Sequence, residues 1–256
     1  MRGKVEVLPS RGALMQAAAG RFVSAAAVAI RASGRFAVAL SGGSTPKSLY
    51  ALLATGPYTT RLDWSRTHVF WGDERCVPPG NPVSNYRVAR ETLLDRVPVP
   101  EENVHRIRGE DEPAAAAAAY ERELREQFRT PDGPPRSAPD ARFDLVLLGM
   151  GEDGHTASLF PGMAAVRESC RWVAAERIAE VSLSRVTLTP TVINAAAEVV
   201  FLVSGREKAA MLHRVLEGPY QPDALPAQVI APRDGRLLWL ADADAAADLE
   251  GELSMR

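Results

Sequence analysis

The stretch FDLVLLGMGEDGHTASLFPG, from Phe143 to Gly162, decides how the rest of the chain is read. Its apolar run Leu145 to Leu148 is short and clean enough to be a fully buried strand of a parallel sheet. Gly149, Gly151 and Gly154 follow at once, a spacing that predicts a tight turn with positive φ available at each. Asp153 and His155 are set into that turn. Open α/β sheets bind ligands just outside the carboxyl ends of their strands, so a carboxylate and an imidazole there form a candidate catalytic pair. The other reading has Asp153 shaping an Asx-turn and His155 capping the helix that follows.

Toward the N-terminus the same grammar repeats. Phe36 to Leu40 is a strand of small and branched residues, and SGGSTPKSLYALLATG follows it directly. Gly42 and Gly43 loosen the backbone, while Ser44 and Thr45 bring hydroxyls. Thr45 is expected to cap a helix with Pro46 in its first position, ending near Thr55. A Gly-rich turn into a helix N-terminus aims several free N–H groups at one spot and suits an anion. It is neither a Walker A sequence nor a G-x-G-x-x-G fingerprint, so no nucleotide is indicated. An ordinary strand-to-helix turn is the alternative.

Another strand, Thr67 to Trp71, runs into Asp73, Glu74 and Arg75. Charges at a strand's carboxyl end either face a ligand or pair with each other. The Pro- and Gly-rich stretch 78–82 is a loop, and Ser84 to Leu94 a helix capped by Ser84. Beyond the central stretch, Val199 to Val203 is a buried strand, followed by Ser204, Gly205 and a new helix. Arg206 and Lys208 fall in that helix's first turn, where the dipole disfavours cations unless an anion offsets them. Both are candidates for phosphate, with plain solvent exposure as the alternative.

The remaining pattern supplies an edge strand (Val5 to Leu8), a long helix (Gly12 to Ala32) stopped by Gly34, and a strand at Val104 to Ile107. A helix at Asp111 to Phe128 and strands at Trp172 to Ala175, Arg185 to Leu188 and Leu237 to Ala241 come next. The Ala/Asp-rich tail is expected to be helical. Residues 131–142 form a Pro-rich surface loop, not a linker. Strands and helices alternate throughout, which predicts one α/β domain over residues 1–256. Its Rossmann-like, mainly parallel sheet would carry helices on both faces.

Composition narrows the function classes. A net charge of -2 over 256 residues gives no footprint for nucleic acid or an anionic membrane. Cys76 and Cys170 are far apart and form no C-x-x-C or Cys/His cluster, which suits a reducing compartment and argues against a zinc site. The N-terminus lacks the apolar core of a signal peptide. The Ala-rich run 18–30 is interrupted by Arg21 and followed by Arg31, as in a soluble helix. The cytoplasm is the expected location.

With these pieces placed, the chain resembles the 6-phosphogluconolactonase family, within the wider group of glucosamine-6-phosphate isomerases and deaminases. The match is carried by ALSGGSTPKSLY, WGDERCVPPGNPVSNY, LVLLGMGEDGHTASLFPG, VVFLVSGREKA and LPAQVI, in the family's order. The resemblance implies an enzyme that opens 6-phosphogluconolactone to 6-phosphogluconate, in the oxidative pentose phosphate pathway. It implies no cofactor and no metal. The expected partner is a small sugar-phosphate lactone, without nucleic acid or membrane, and the chain is a monomer or weak homo-oligomer. By position, Gly42, Gly43, Ser44, Thr45, Asp73, Arg206 and Lys208 would hold phosphate or substrate oxygens. His155 would be the general base, Asp153 its orienting or bracing partner, and Arg75 a donor to the oxyanion.

A rival within the group is glucosamine-6-phosphate deaminase. The corresponding deaminase loop resembles G-H-I-A-F-N-E-P-G, with an assisting glutamate; here that position is Phe160, which cannot relay a proton. Asp73 matches an acidic residue of the deaminase site. A third possibility, a sugar-phosphate sensor domain, calls for an N-terminal helix-turn-helix that is not legible before the first strand.

Overall fold

Three runs of sequence are buried at every position: Phe36–Leu40, Leu145–Leu148 and Glu198–Val203. Continuous burial of Val, Ala, Leu and Phe is what a strand needs when both faces of its sheet are covered. In the computed structural model, which describes residues 2–128, 142–178, 183–251 and 254–255, these runs are neighbours near the centre of one sheet.

The elements in chain order begin with β1 (Lys4–Leu8), α1 (Arg11–Ser33), β2 (Phe36–Leu40), α2 (Ser44–Leu53) and α3 (Gly56–Thr59). Then come β3 (Thr67–Trp71), β4 (Asp73–Arg75), α4 (Asn85–Thr92), β5 (Val104–His105), α5 (Pro113–Gln127) and β6 (Leu145–Leu148). The rest are β7 (Val173–Ile178), β8 (Leu183–Leu188), α6 (Pro190–Ile193), β9 (Glu198–Val203), α7 (Ala209–Leu216), β10 (Arg236–Asp242) and β11 (Ser254–Met255).

The main sheet has eight strands in the order β11-β1-β10-β9-β6-β2-β3-β5, and every pairing in it is parallel. From β2 the chain winds outward through β3 to β5; it then returns to place β6 on the other side of β2 and continues to β9 and β10. The order therefore reverses between β2 and β6, which is where such sheets open a crevice. A second sheet, β4-β8-β7, is antiparallel and small.

The expected fold class is the observed one, with particulars that differ. The three charged residues after β3 are themselves a strand, β4, of the second sheet. β1 is not an edge: two residues of β11 pair along it. The Ala/Asp-rich segment after β10 forms turns rather than a helix. There the Asp242 carboxylate takes the Ala245 N–H at 2.9 Å, and three-residue bonds such as Leu249 N–H to Ala246 O follow. Residues 131–141 of the expected loop lie outside the described residues.

Helix α1 is by length and composition able to cross a membrane. Here its stripe of Leu14, Met15, Ala18, Ala19, Phe22, Val23, Ala26 and Ala29 is buried against β2, β10 and α2. Phe22 meets Phe36 edge to face at 5.3 Å, a wholly buried ring worth roughly 1.5–3 kcal/mol. Ser10 accepts the Ala13 N–H to start the helix, and Gly34 at φ 79 ends it.

At the β5 edge, His68 Nδ1 lies 3.2 Å from His105 Nε2, and His105 Nδ1 is 2.8 Å from Glu123. Burial, then His105 and Arg35, push His68 down from 6.5 to about 4. The unfolded chain therefore binds the extra proton first, so stability falls as pH drops from 6.5 to about 4 and levels off below. His68 keeps partial contact with solvent, so the loss is screened. Urea midpoints of the wild type and His68→Gln should diverge across that window, the wild type losing more; parallel curves would contradict the coupling.

Candidate active site

Four loops at the carboxyl ends of β2, β3, β6 and β9 meet around a cavity of about 220 Å³. That is small beside the several hundred Å³ usual for larger ligands, and it suits a sugar phosphate. Its lining includes Gly42 to Thr45, Asp73, Arg75, His155 and Lys208. Of the residues expected from sequence, nearly all are thus brought together.

The loop after β6 carries the imidazole. His155 Nδ1 sits 2.5 Å from Asp153 Oδ1, which also accepts the His155 backbone N–H at 3.1 Å. Partial burial pushes the Asp153 carboxyl up, but these bonds and the imidazole charge outweigh it and hold it below its ordinary value. An ionised carboxylate can only accept, so Nδ1 bears a proton, and when the ring is neutral Nε2 keeps its lone pair. Phe160 stacks on the ring, centroids 4.2 Å apart at 29°. Of the three glycines expected at positive φ, only Gly154 adopts it, at 83°. Gly151 serves by its bareness: a Cβ there would run into the His155 ring and the Asp153 carboxylate.

The LPAQVI segment braces this turn from behind. Ala227 N–H donates to Gly154 O at 2.9 Å, and Leu225 packs on Gly154. Gln228, itself buried, accepts from Gln221 N–H at 2.7 Å and donates to Pro219 O at 3.0 Å.

In the loop after β2, the helix begins two residues earlier than expected. Gly43, at φ 104, is the N-cap, so Ser44 and Thr45 are the first helical residues and Thr45 is not the cap. Their N–H groups belong to the first turn and have no intrahelical partner. Gly42 is bare because Asn85 Oδ1 occupies the space of a Cβ.

The charges after β3 divide their work. Asp73 is buried and accepts from Ser158 Oγ at 2.6 Å and Asn85 Nδ2 at 3.1 Å. Glu74, equally buried, takes four bonds: the N–H groups of Arg75, Asn85 and Tyr86, and the Ser84 hydroxyl. Burial raises its pKa, and those four bonds hold it back in part. Glu74 thereby caps α4 and fixes Asn85 against Asp73. Arg75 donates Nη1 to Val83 O.

After β9, Asp242 accepts from Ser204 Oγ and from Gly205 N–H at 3.1 Å, setting the turn that carries Lys208. Lys208 lines the cavity with its side chain only 19 % exposed, and Glu152 stands 3.8 Å away. Arg206 does not join it: its guanidinium bonds to Asp248 at 2.7 Å, away from the cavity. Residues two apart in a helical turn do not share a face. Ser41, Asn85 and Ala157 also line the cavity and were not read from sequence. Ala157 is the single non-glycine with positive φ among the described residues, at 48°. Among those residues no three His, Cys, Asp or Glu side chains gather as metal ligands.

Known proteins resemble this chain in sequence and in fold. The family profile described as "Glucosamine-6-phosphate isomerases/6-phosphogluconolactonase" matches residues 9–239. A 6-phosphogluconolactonase of Nostoc sp. is 42 % identical over 250 residues, covering 97 % of this chain and 99 % of that one. One from Haemophilus influenzae is 38 % identical, covering 80 % and 84 %. The solved 6-phosphogluconolactonase from Trypanosoma cruzi superposes with a TM-score of 0.84 at 30 % identity over 98 % of each chain. The chain therefore belongs to the glucosamine-6-phosphate isomerase/6-phosphogluconolactonase family.

Proposed function

We propose that this chain hydrolyses 6-phospho-D-glucono-1,5-lactone to 6-phosphogluconate. The observation that carries the reading is the setting of His155, with Asp153 on Nδ1 and the apolar ring of Phe160 on its face. An imidazole so held is a base for water. The position from which a deaminase glutamate would assist ring opening is apolar. The named relatives, similar over nearly the whole chain, support the same reaction.

In this mechanism Nε2 takes a proton from water as its oxygen attacks C1 of the lactone. The carbonyl becomes a tetrahedral oxyanion, to which Arg75 donates. The C1–O5 bond then breaks, and the imidazolium returns its proton to O5. Asp153 offsets the positive charge that the ring carries in between. No covalent enzyme intermediate is needed, and no G-x-S-x-G elbow is present to form one. At the other end, Lys208 and the free N–H groups of α2 hold the phosphate. Two separated free cysteines suit a cytoplasmic setting.

Purified protein should accelerate the opening of freshly made 6-phosphogluconolactone beyond its spontaneous rate. It should release no ammonia from glucosamine 6-phosphate. Ammonia at a comparable turnover would overturn the assignment.

A further inference from the structure

Arg185, next to the cavity-lining Arg75 though not itself part of the lining, is the least explained charge in the second sheet. In the second sheet it stands directly opposite Arg75, its Cα partner across the antiparallel β4–β8 pair. Opposed residues in such a pair point to the same face, about 5 Å apart at Cβ, and like charges placed so repel. Arg185 is half-buried, yet among the described residues it forms no ion pair and its Nε, like that of Arg75, is buried without a hydrogen-bond partner.

The carboxylates within reach are committed elsewhere. Asp73 is held by Ser158 and Asn85, and Glu74 by its four bonds. Glu176, opposite Arg185 on the β7 side, accepts the Ala165 N–H at 2.7 Å instead. Burial and then Arg75 push the Arg185 guanidinium below its ordinary value, while Asp73, Glu74 and Cys76 pull it the other way. Two guanidinia kept side by side without a full counter-charge are suited to an anion that bridges them.

Topology says which anion. The loops lining the cavity follow β9, β6, β2 and β3 in that spatial order, so the strands that lead to Lys208 and to Arg75 are three spacings apart, about 14 Å. With phosphate between Lys208 and the α2 N-terminus, a lactone whose reacting carbon meets His155 would direct the oxygens of that carbon toward Arg75. We propose that Arg185 joins Arg75 in an anion subsite for the C1 carboxylate of the opened product and for the oxyanion that precedes it. This rests on the lactonase reading above.

Two inhibitors separate the ends: 6-phosphogluconate, and glucitol 6-phosphate, which keeps the phosphate but has a hydroxymethyl group in place of the carboxylate. Arg185→Gln should raise the inhibition constant of 6-phosphogluconate about 10- to 100-fold, as expected for a lost charge-assisted bond, and leave that of glucitol 6-phosphate unchanged. Arg185→Lys should restore part of the difference. Without ligand, Arg185→Gln should melt at or above the wild type, because a like-charged neighbour is gone. Equal weakening of both inhibitors, weakening of neither, or a lower melting temperature with unchanged inhibition would overturn the proposal. All three are readable while wild-type lactone hydrolysis stands. A wild type that does not hydrolyse the lactone would instead sink the reading beneath it.

Discussion

His155→Asn is expected to lower kcat on fresh 6-phosphogluconolactone by about 10²–10⁴, the range for loss of a positioned general base. Asparagine can hold the turn. It is polar and of similar reach, Gly154 still supplies the positive φ, and the brace from Ala227 to Gly154 is untouched. Fold and KM should therefore change little, which separates a chemical loss from a structural one. The wild-type rate, corrected for spontaneous opening, should fall toward acid, since only an unprotonated Nε2 can accept from water. The Asn variant should lack that limb. A variant with near-normal kcat would place the base elsewhere and reduce His155 to a turn residue.

Lys208→Ala should act on binding instead. The side chain is four-fifths buried and its one carboxylate neighbour among the described residues is the exposed Glu152 at 3.8 Å, so its charge is weakly compensated until phosphate arrives. Removing it should cost roughly 1.5–3 kcal/mol of phosphate binding, seen as a 10- to 100-fold rise in KM for the phosphorylated lactone. Unphosphorylated gluconolactone should be hardly affected. Arg206→Ala is the matched control, because that cation is spent on Asp248. Equal losses on both substrates would show that Lys208 does not read the phosphate.

Much of this site was legible because its residues sit where pattern and position coincide. A buried run followed by glycines marks the end of a central strand, and Asp153, His155 and the Gly42 loop lie there. Lys208 was legible as a cation at the wrong end of a helix, and Arg206 was read with it for the same reason. Their spacing of two already puts them on different faces, and the partner that takes Arg206, Asp248, lies 42 residues away.

Glu74 shows a deeper limit. In sequence it is one of three adjacent charges, the mark of a surface. In the fold it is almost wholly enclosed, its carboxylate held by its neighbour's N–H and by groups 10 to 12 residues further on. Three consecutive charged residues forming a strand is intelligible only with β8 alongside, and β8 comes more than a hundred residues later. Asn85 was passed over likewise. After a serine cap it resembles any first helical residue, and its place under Gly42 is a tertiary fact.

The strand order has a kinetic consequence. Val38 pairs with Leu145, Val146 with Val199, and Lys4 with Leu238, so the central pairings and those of β1 span long loops. Loop closure of this kind must be met before the contacts reward it, and parallel sheets of high contact order fold slowly. During synthesis β1 leaves the ribosome early yet waits for β10 and β11, an open edge in the meantime. The cavity, walled by loops from Ser41 to Lys208, cannot be assembled piecemeal as the chain lengthens. A nascent chain that has not yet reached Lys208 accordingly lacks part of the cavity wall.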